Sequence, residues 1–155
     1  IVADADTYEV IDKLYLEVKW DGISLWSSGA EKVHGLSKEH LEQYGLDEED
    51  AVAEIATLIY NHWGDKVVSV AAQNPHFDIC FLDATLKRHG IHVKFSNRRV
   101  DTSTLGAVLL DAYTSDQIFS AVGIDTRGIH NSLQDAECCL QTLRTVRMLW
   151  KTCVE

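Results

Sequence analysis

Residues 66–82 read KVVSVAAQNPHFDICFL. The first seven are a nearly continuous apolar run, the pattern of a strand buried on both faces. Asn74 and Pro75, the chain's one proline, then turn the backbone. A helix is predicted over 76–89, closed by His89-Gly90. Strand, tight turn and helix in that order predict an α/β layered unit. Asp78 falls in the first turn of this helix, between Phe77 and Ile79 and beside Phe81 and Leu82. Solubility does not require an acid there. An acid in a first turn complements the helix dipole. It also stands beyond the carboxyl end of a strand, where functional groups gather in open α/β sheets.

Working outward, residues 1–5 read as a short strand. Residues 13–20 alternate, with Leu14, Leu16, Val18 and Trp20 on one face. Asp21-Gly22 predicts a turn, and residues 23–26 can pair back as a hairpin. Asp47 can cap a helix over 48–63 whose inward stripe is Val52, Ile55, Leu58, Ile59 and His62. Another strand is expected over 93–100, and helices over 103–112, 115–122 and 131–150. In the last helix Leu133, Leu140, Leu143, Val146 and Trp150 trace the inward stripe. The four tryptophans, Trp20, Trp26, Trp63 and Trp150, read as core. Antiparallel strands followed by alternating helix and strand predict one α/β domain over 1–155 with a mixed sheet.

The chain's 155 residues suit one domain with a sizeable core. No apolar stretch reaches the roughly 18–20 residues that span a membrane, and no secretory or transit signature is present. Cys80, Cys138, Cys139 and Cys153 form no CxxC pair. That pattern predicts reduced structural thiols in a cytosol-like compartment, hence a cytoplasmic protein. The net charge of −10 disfavours broad, non-specific nucleic-acid binding. It does not exclude a nucleic-acid enzyme, because acids that hold divalent metals add to the negative count.

Acids recur in three places. Asp4 and Asp6 are two apart on the predicted first strand and would share a face; a solvated strand end also accounts for them. Asp78 opens the helix after the apolar run. His130 precedes the last helix, and Asp135 lies in its early turns. The order is D-x-D, N-x-x-F-D, then H-x-x-x-x-D, standing as Asp4-Ala5-Asp6, Asn74-Pro75-His76-Phe77-Asp78 and His130-Asn131-Ser132-Leu133-Gln134-Asp135. In these motifs the chain resembles the DEDDh 3′→5′ exonucleases, which include polymerase proofreading subunits, ribonuclease T and oligoribonuclease. VHGLSKEHL at 33–41 and VDTSTLG at 100–106 resemble further family segments. The chain departs from the pattern in three ways. Asp6 stands where the family has glutamate, with Glu9 as a fallback acid. Only six residues separate the first motif from the predicted second strand. Gln73 stands where many relatives have histidine.

The resemblance implies a ribonuclease H-like three-layer fold, with a central mixed five-stranded sheet flanked by helices. It implies two Mg²⁺ or Mn²⁺ ions held by Asp4, Asp6, Asp78 and Asp135, and His130 as the general base. Such ions activate water and hold the leaving oxygen of a phosphodiester, and they prefer oxygen ligands. Gly35 and Leu36 would pack on the terminal base, Phe77 on the next, and Asn74 would bond a sugar or backbone oxygen; plain core packing is the other reading of Leu36 and Phe77. The expected partner is a single-stranded RNA or DNA 3′ end, with no membrane. A homodimer is possible, although no exposed apolar helix face is evident from the sequence. Two rivals stand beside this reading. One is a catalytically weak or inactive binding or assembly module on the same fold. The other is a ribonuclease H-like nuclease that cuts internally.

Overall fold

The computed structural model describes residues 1–124 and 131–154. The chain opens with β1 (Val2–Ala3), turns through residues 4–8, and returns antiparallel as β2 (Val10–Asp12). The strand expected over 1–5 therefore stops at Ala3. The reason is local: Asp4 Oδ1 accepts the N–H groups of Asp6 and Thr7 at 2.9 and 2.7 Å and the Thr7 hydroxyl at 3.0 Å. Such a side-chain turn competes with strand pairing. Asp4 and Asp6 thus sit in a turn and not on a shared strand face.

Residues 13–20 do not form the expected strand. They make one bridge, Val18 beside Leu46. Their polar side chains bond sideways instead: Tyr15 donates to Glu17 at 2.7 Å, and His40 pairs with Glu17 at 2.6 Å. Asp21 accepts the N–H groups of Ile23 and Ser24, which closes a loop and not a hairpin. The Trp20 and Trp26 rings meet edge-on across that loop, 6.0 Å apart. Two helices follow that were not expected, α1 (Ser28–His34) and α2 (Lys38–Tyr44). Each is capped by a serine, Ser27 and Ser37, whose hydroxyl accepts a first-turn N–H.

Helix α3 (Glu48–Trp63) has the expected extent, with Val52 buried and Ile55, Leu58 and Ile59 half-buried, but His62 is exposed and Asp47 makes no side-chain cap bond. Glu48 pairs with Arg88 and His89, tying α3 to α4 (Pro75–Arg88). Between them runs β3 (Ala71–Ala72), parallel to β4 (Val100–Asp101). The apolar run 66–72 is not buried on both faces. Val68 is buried and bridges to Phe95, but Val67 is 53% exposed. The alternate residues Val68, Val70 and Ala72 are buried or half-buried while Val67, Ser69 and Ala71 are exposed, so one face of this segment is covered.

Three helices complete the chain: α5 (Thr102–Leu109), α6 (Ser115–Ala121) and α7 (Ser132–Val154). Thr114 and Gln117 close a capping box on α6. The core gathers Ala112, Ile118 and Phe119 against Cys138 and Cys139 of α7. Leu140 and Leu143 are buried as expected, but Trp150 is 67% exposed, because the burial of α7 falls off after Leu143. All four cysteines are free thiols.

The architecture is mixed α/β, with seven helices and two two-stranded sheets among the described residues. The expected five-stranded sheet is not formed among them, because the Asp4 turn and the side-chain bonds of 13–20 divert the segments that would extend it. No described helix is long and apolar enough to cross a membrane. Apolar helix faces are exposed, contrary to expectation: Phe77 and Phe81 on α4, Met148 and Leu149 on α7.

Two glycines test this packing in opposite directions. A Cβ on Gly106 would stand 2.5 Å from Ile118 Cγ1 and 3.1 Å from the Ala112 carbonyl, whereas one on Gly29 meets only Ser27 Oγ at 3.6 Å. Gly106→Ala should cost about 1–3 kcal/mol by overpacking. Gly29→Ala should gain about 0.5–1 kcal/mol by helix propensity. Urea denaturation of both variants reads the pair; equal effects would refute the α5–α6 contact.

Candidate functional site

Asn74 adopts a left-handed conformation, φ 54° and ψ 56°, between β3 and α4. An asparagine tolerates that region better than most residues. Its N–H donates to Asp101 Oδ1 at 3.0 Å, and its carbonyl accepts the Phe77 N–H at 3.0 Å. Pro75 is buried at the first helical position. Together these groups start α4 and set Asp78 in its first turn.

Asp101 closes β4 and caps α5. Its Oδ1 also accepts the Ser103 N–H at 2.9 Å, and its Oδ2 accepts the Thr104 hydroxyl at 3.2 Å. The next residue, Thr102, is fully buried, with its hydroxyl 3.7 Å from the Cys139 thiol on α7. One turn N-terminal of Cys139 on the same helix stands Asp135. Asn131 begins that helix, its side-chain oxygen accepting the Leu133 and Gln134 N–H groups at 3.0 and 3.2 Å.

Asp78 and Asp135 therefore open on one cleft of about 330 Å³. Gln73 and Ser115 line it too, joined by a hydroxyl-to-amide bond of 2.7 Å, and Ser132 and Cys139 complete its polar lining. Loss of water around Asp78 pushes its carboxyl above the ordinary range, although the residue's surface is open to the cleft. Burial pushes the Cys139 thiol up, and the charges of Asp135 and Asp78 add to this. Burial and the two neighbouring carboxylates thus both favour the protonated thiol at Cys139. At Asp101 desolvation acts upward, but the bonds from Asn74, Ser103 and Thr104 hold the carboxyl below the ordinary range.

The other expected site residues lie elsewhere. Asp4 is committed to its turn, and the bonds from Thr7 and Asp6 hold its carboxyl low. Asp6 lines a different cleft with Arg144 and Arg147. At 1.5 Å per residue, Arg144 stands about 13 Å of helix axis beyond Asp135. Gly35 caps α1 with φ 73°, donating its N–H to Glu31, and the Leu36 N–H donates to His34 Nδ1 at 3.0 Å. Neither lines the Asp78–Asp135 cleft. Phe77 is not core: it is 60% exposed, its ring centroid 4.8 Å from that of Phe81. His130 lies outside the described residues.

Asp78 and Asp135, with Ser115 and Ser132, place hard oxygen donors of the type that divalent cations prefer on the lining of one cleft. The four carboxylates of a two-ion set are not brought together, and no group of three or more His, Cys, Asp or Glu suited to a metal occurs among the described residues. Sequence reading did not single out Asp101, Ser115 or Ser132. Asp101 was accessible as a cap from D-T-S-T, and Ser115 from the T-S-D-Q capping box. No protein-family model and no curated protein sequence matches the chain.

The two perturbed carboxylates predict opposite pH effects. Asp78, with its folded pKa raised, costs stability only once it ionises, so the cost is absent below about pH 4 and present at neutral pH. Asp78→Asn should raise the melting temperature at pH 7 by about 1–2 °C, the cost being screened by the open cleft, and leave it unchanged at pH 3. Asp101, with its folded pKa depressed, stabilises above about pH 4 and loses that contribution as pH falls through its lower folded value. Asp101→Ala should destabilise at pH 7 by about 1–2 kcal/mol, with the deficit shrinking on acidification. Thermal melts from pH 3 to 7 separate the two; parallel profiles would show that neither carboxyl stands in the surroundings described.

Proposed function

We propose that the chain is a metal-dependent 3′→5′ exonuclease that releases nucleoside monophosphates from single-stranded RNA or DNA ends. The observation that carries this reading is the meeting of Asp78 and Asp135, from two motifs distant in sequence, on one cleft beyond β3. The strand polarity, and a ribonuclease H-like layering with a fuller sheet, come from the motif resemblance and belong to the same proposal.

A divalent ion bound there would neutralise the scissile phosphate and lower the pKa of an attacking water. Asp78 and Asp135 would supply the carboxylate oxygens that hold it. The raised pKa of Asp78 means that the site loads best above the ordinary carboxylate range, once its proton is lost. The Gln73 amide N–H and the Ser132 hydroxyl offer hydrogen bonds to phosphate or sugar oxygens from the cleft wall, while the Ser115 hydroxyl is given to Gln73 Oε1. His130 would take the proton of the attacking water, a task suited to an ordinary histidine pKa of about 6.5. The exposed Phe77–Phe81 pair offers π-faces on which bases of any sequence can stack.

A second reading, a weakly active or inactive binding module, is favoured by one observation. Asp4 spends one carboxylate oxygen on three bonds within its own turn, and Asp6 faces a cleft lined by cations. Incubating the protein with Mg²⁺ or Mn²⁺ and 5′-labelled single strands of RNA and DNA decides between the two. The exonuclease predicts a ladder shrinking from the 3′ end, abolished by chelator. Asp78→Asn, Asp135→Asn and His130→Ala should each slow it by about 10²–10⁴-fold. Intact strands with metal-independent binding would favour the module, and mid-length fragments appearing first would replace the exonuclease with an internal cutter.

A further inference from the structure

A second cleft, of about 490 Å³, lies between the β1–β2 turn and the C-terminal half of α7. Arg144, Arg147 and Lys151 line it from the helix, and Asp6, Thr7 and Tyr8 from the turn. Among the described residues three cations and one acid, Asp6, line it, and the Asp4 carboxylate acts on Arg147 from the same turn, in a chain whose net charge is −10. Like charges three and four residues apart weaken a helix by a few tenths of a kcal/mol each. Attraction to the helix C-terminus can account for Lys151 in the last turn, but Arg144 and Arg147 stand too far from the end for it.

The arginines are also held in place. Arg144 donates from Nε to the Tyr8 carbonyl at 3.0 Å, with Nη2 on the same oxygen. The Arg147 guanidinium lies over the Tyr8 ring, 5.2 Å from its centroid, with Nη1 3.4 Å from the Ala5 carbonyl. A planar, pre-oriented fork beside a mobile ammonium matches the oxygens of a phosphate group. The volume falls within the range of about 300–1,000 Å³ typical of small-ligand sites.

We propose that this cleft is a phosphate-binding site, separate from the Asp78–Asp135 cleft, with Arg147 and Lys151 as its principal contacts and Arg144 as the brace that fixes the turn. Its chemistry fits a free phosphorylated small molecule or the backbone phosphates of a nucleic-acid strand. The site does not depend on the nuclease reading, since it needs neither a metal nor turnover.

Titration calorimetry in chelator, at low salt, tests it with three probes: inorganic phosphate, a nucleoside 5′-monophosphate and a ten-nucleotide single strand. Saturable binding is expected, weakened at least about tenfold by the double variant Arg147→Gln, Lys151→Gln, consistent with the loss of two charge-assisted contacts. Lys94→Gln, which removes one charge at another exposed lysine, should leave it unchanged. Asp6→Asn should tighten binding by removing a negative charge from the cleft lining, a gain that a misfolded protein could not show. Equal affinity for mononucleotide and strand supports a free phosphorylated ligand. Tighter strand binding, with a salt slope that drops by about two in the double variant, supports a backbone. No saturable binding of any probe, or equal loss in Lys94→Gln and the double variant, overturns the proposal.

Discussion

The Asp101 carboxylate holds two chain reversals at once. One oxygen takes the Asn74 N–H that begins α4 and the Ser103 N–H that begins α5. A left-handed asparagine is costly without such a partner. The bond therefore keeps the β3–α4 turn in the one conformation that aims Asp78 into the cleft. Thr102, the adjacent residue, reaches Cys139 and so ties the same point to α7 and Asp135. Two parallel strands of two residues each could not fix two helix starts by ladder bonds alone. A single charged acceptor does so because charge-assisted hydrogen bonds are about twice as strong as neutral ones.

Helix α7 is the other organising element. Its buried side, Cys138 through Leu143, closes the core against α6. Its N-terminal turns carry Asp135 to one cleft, and its C-terminal half carries two arginines and a lysine to another. The acids of the first motif lie with the second cleft. What reads along the chain as one acidic constellation is, in space, a pair of carboxylates at one end of a helix and a mixed-charge cleft at the other.

The helices from α3 onward were legible because each carries a strong local signal: an apolar stripe, a cap, or Pro75 at a first turn. Asp78 and Asp135 were legible for the same reason, since helix starts fix where early side chains point. The N-terminal third was not. Residues 13–20 alternate as a strand would, but alternation says nothing about whether a neighbour will pair, and Glu17 found His40 and Tyr15 instead. D-x-D has the spacing of a shared strand face and equally the chemistry of an aspartate turn; the competition was settled by hydrogen bonds to Asp4 that no periodicity reveals. Apolar runs such as 66–72 signal burial but not how many layers supply it.

Sheets this short divide the molecule's cohesion unevenly. The β1–β2 hairpin is held by a handful of backbone bonds and by two arginines reaching its carbonyls, while the C-terminal helices share the buried core. Segments with few buried contacts open at a fraction of the global unfolding free energy. The hairpin amides should thus exchange with solvent well before those of mid-α7. On that ordering the turn bearing Asp4 and Asp6 would open first, with the Asp78–Asp135 cleft still folded.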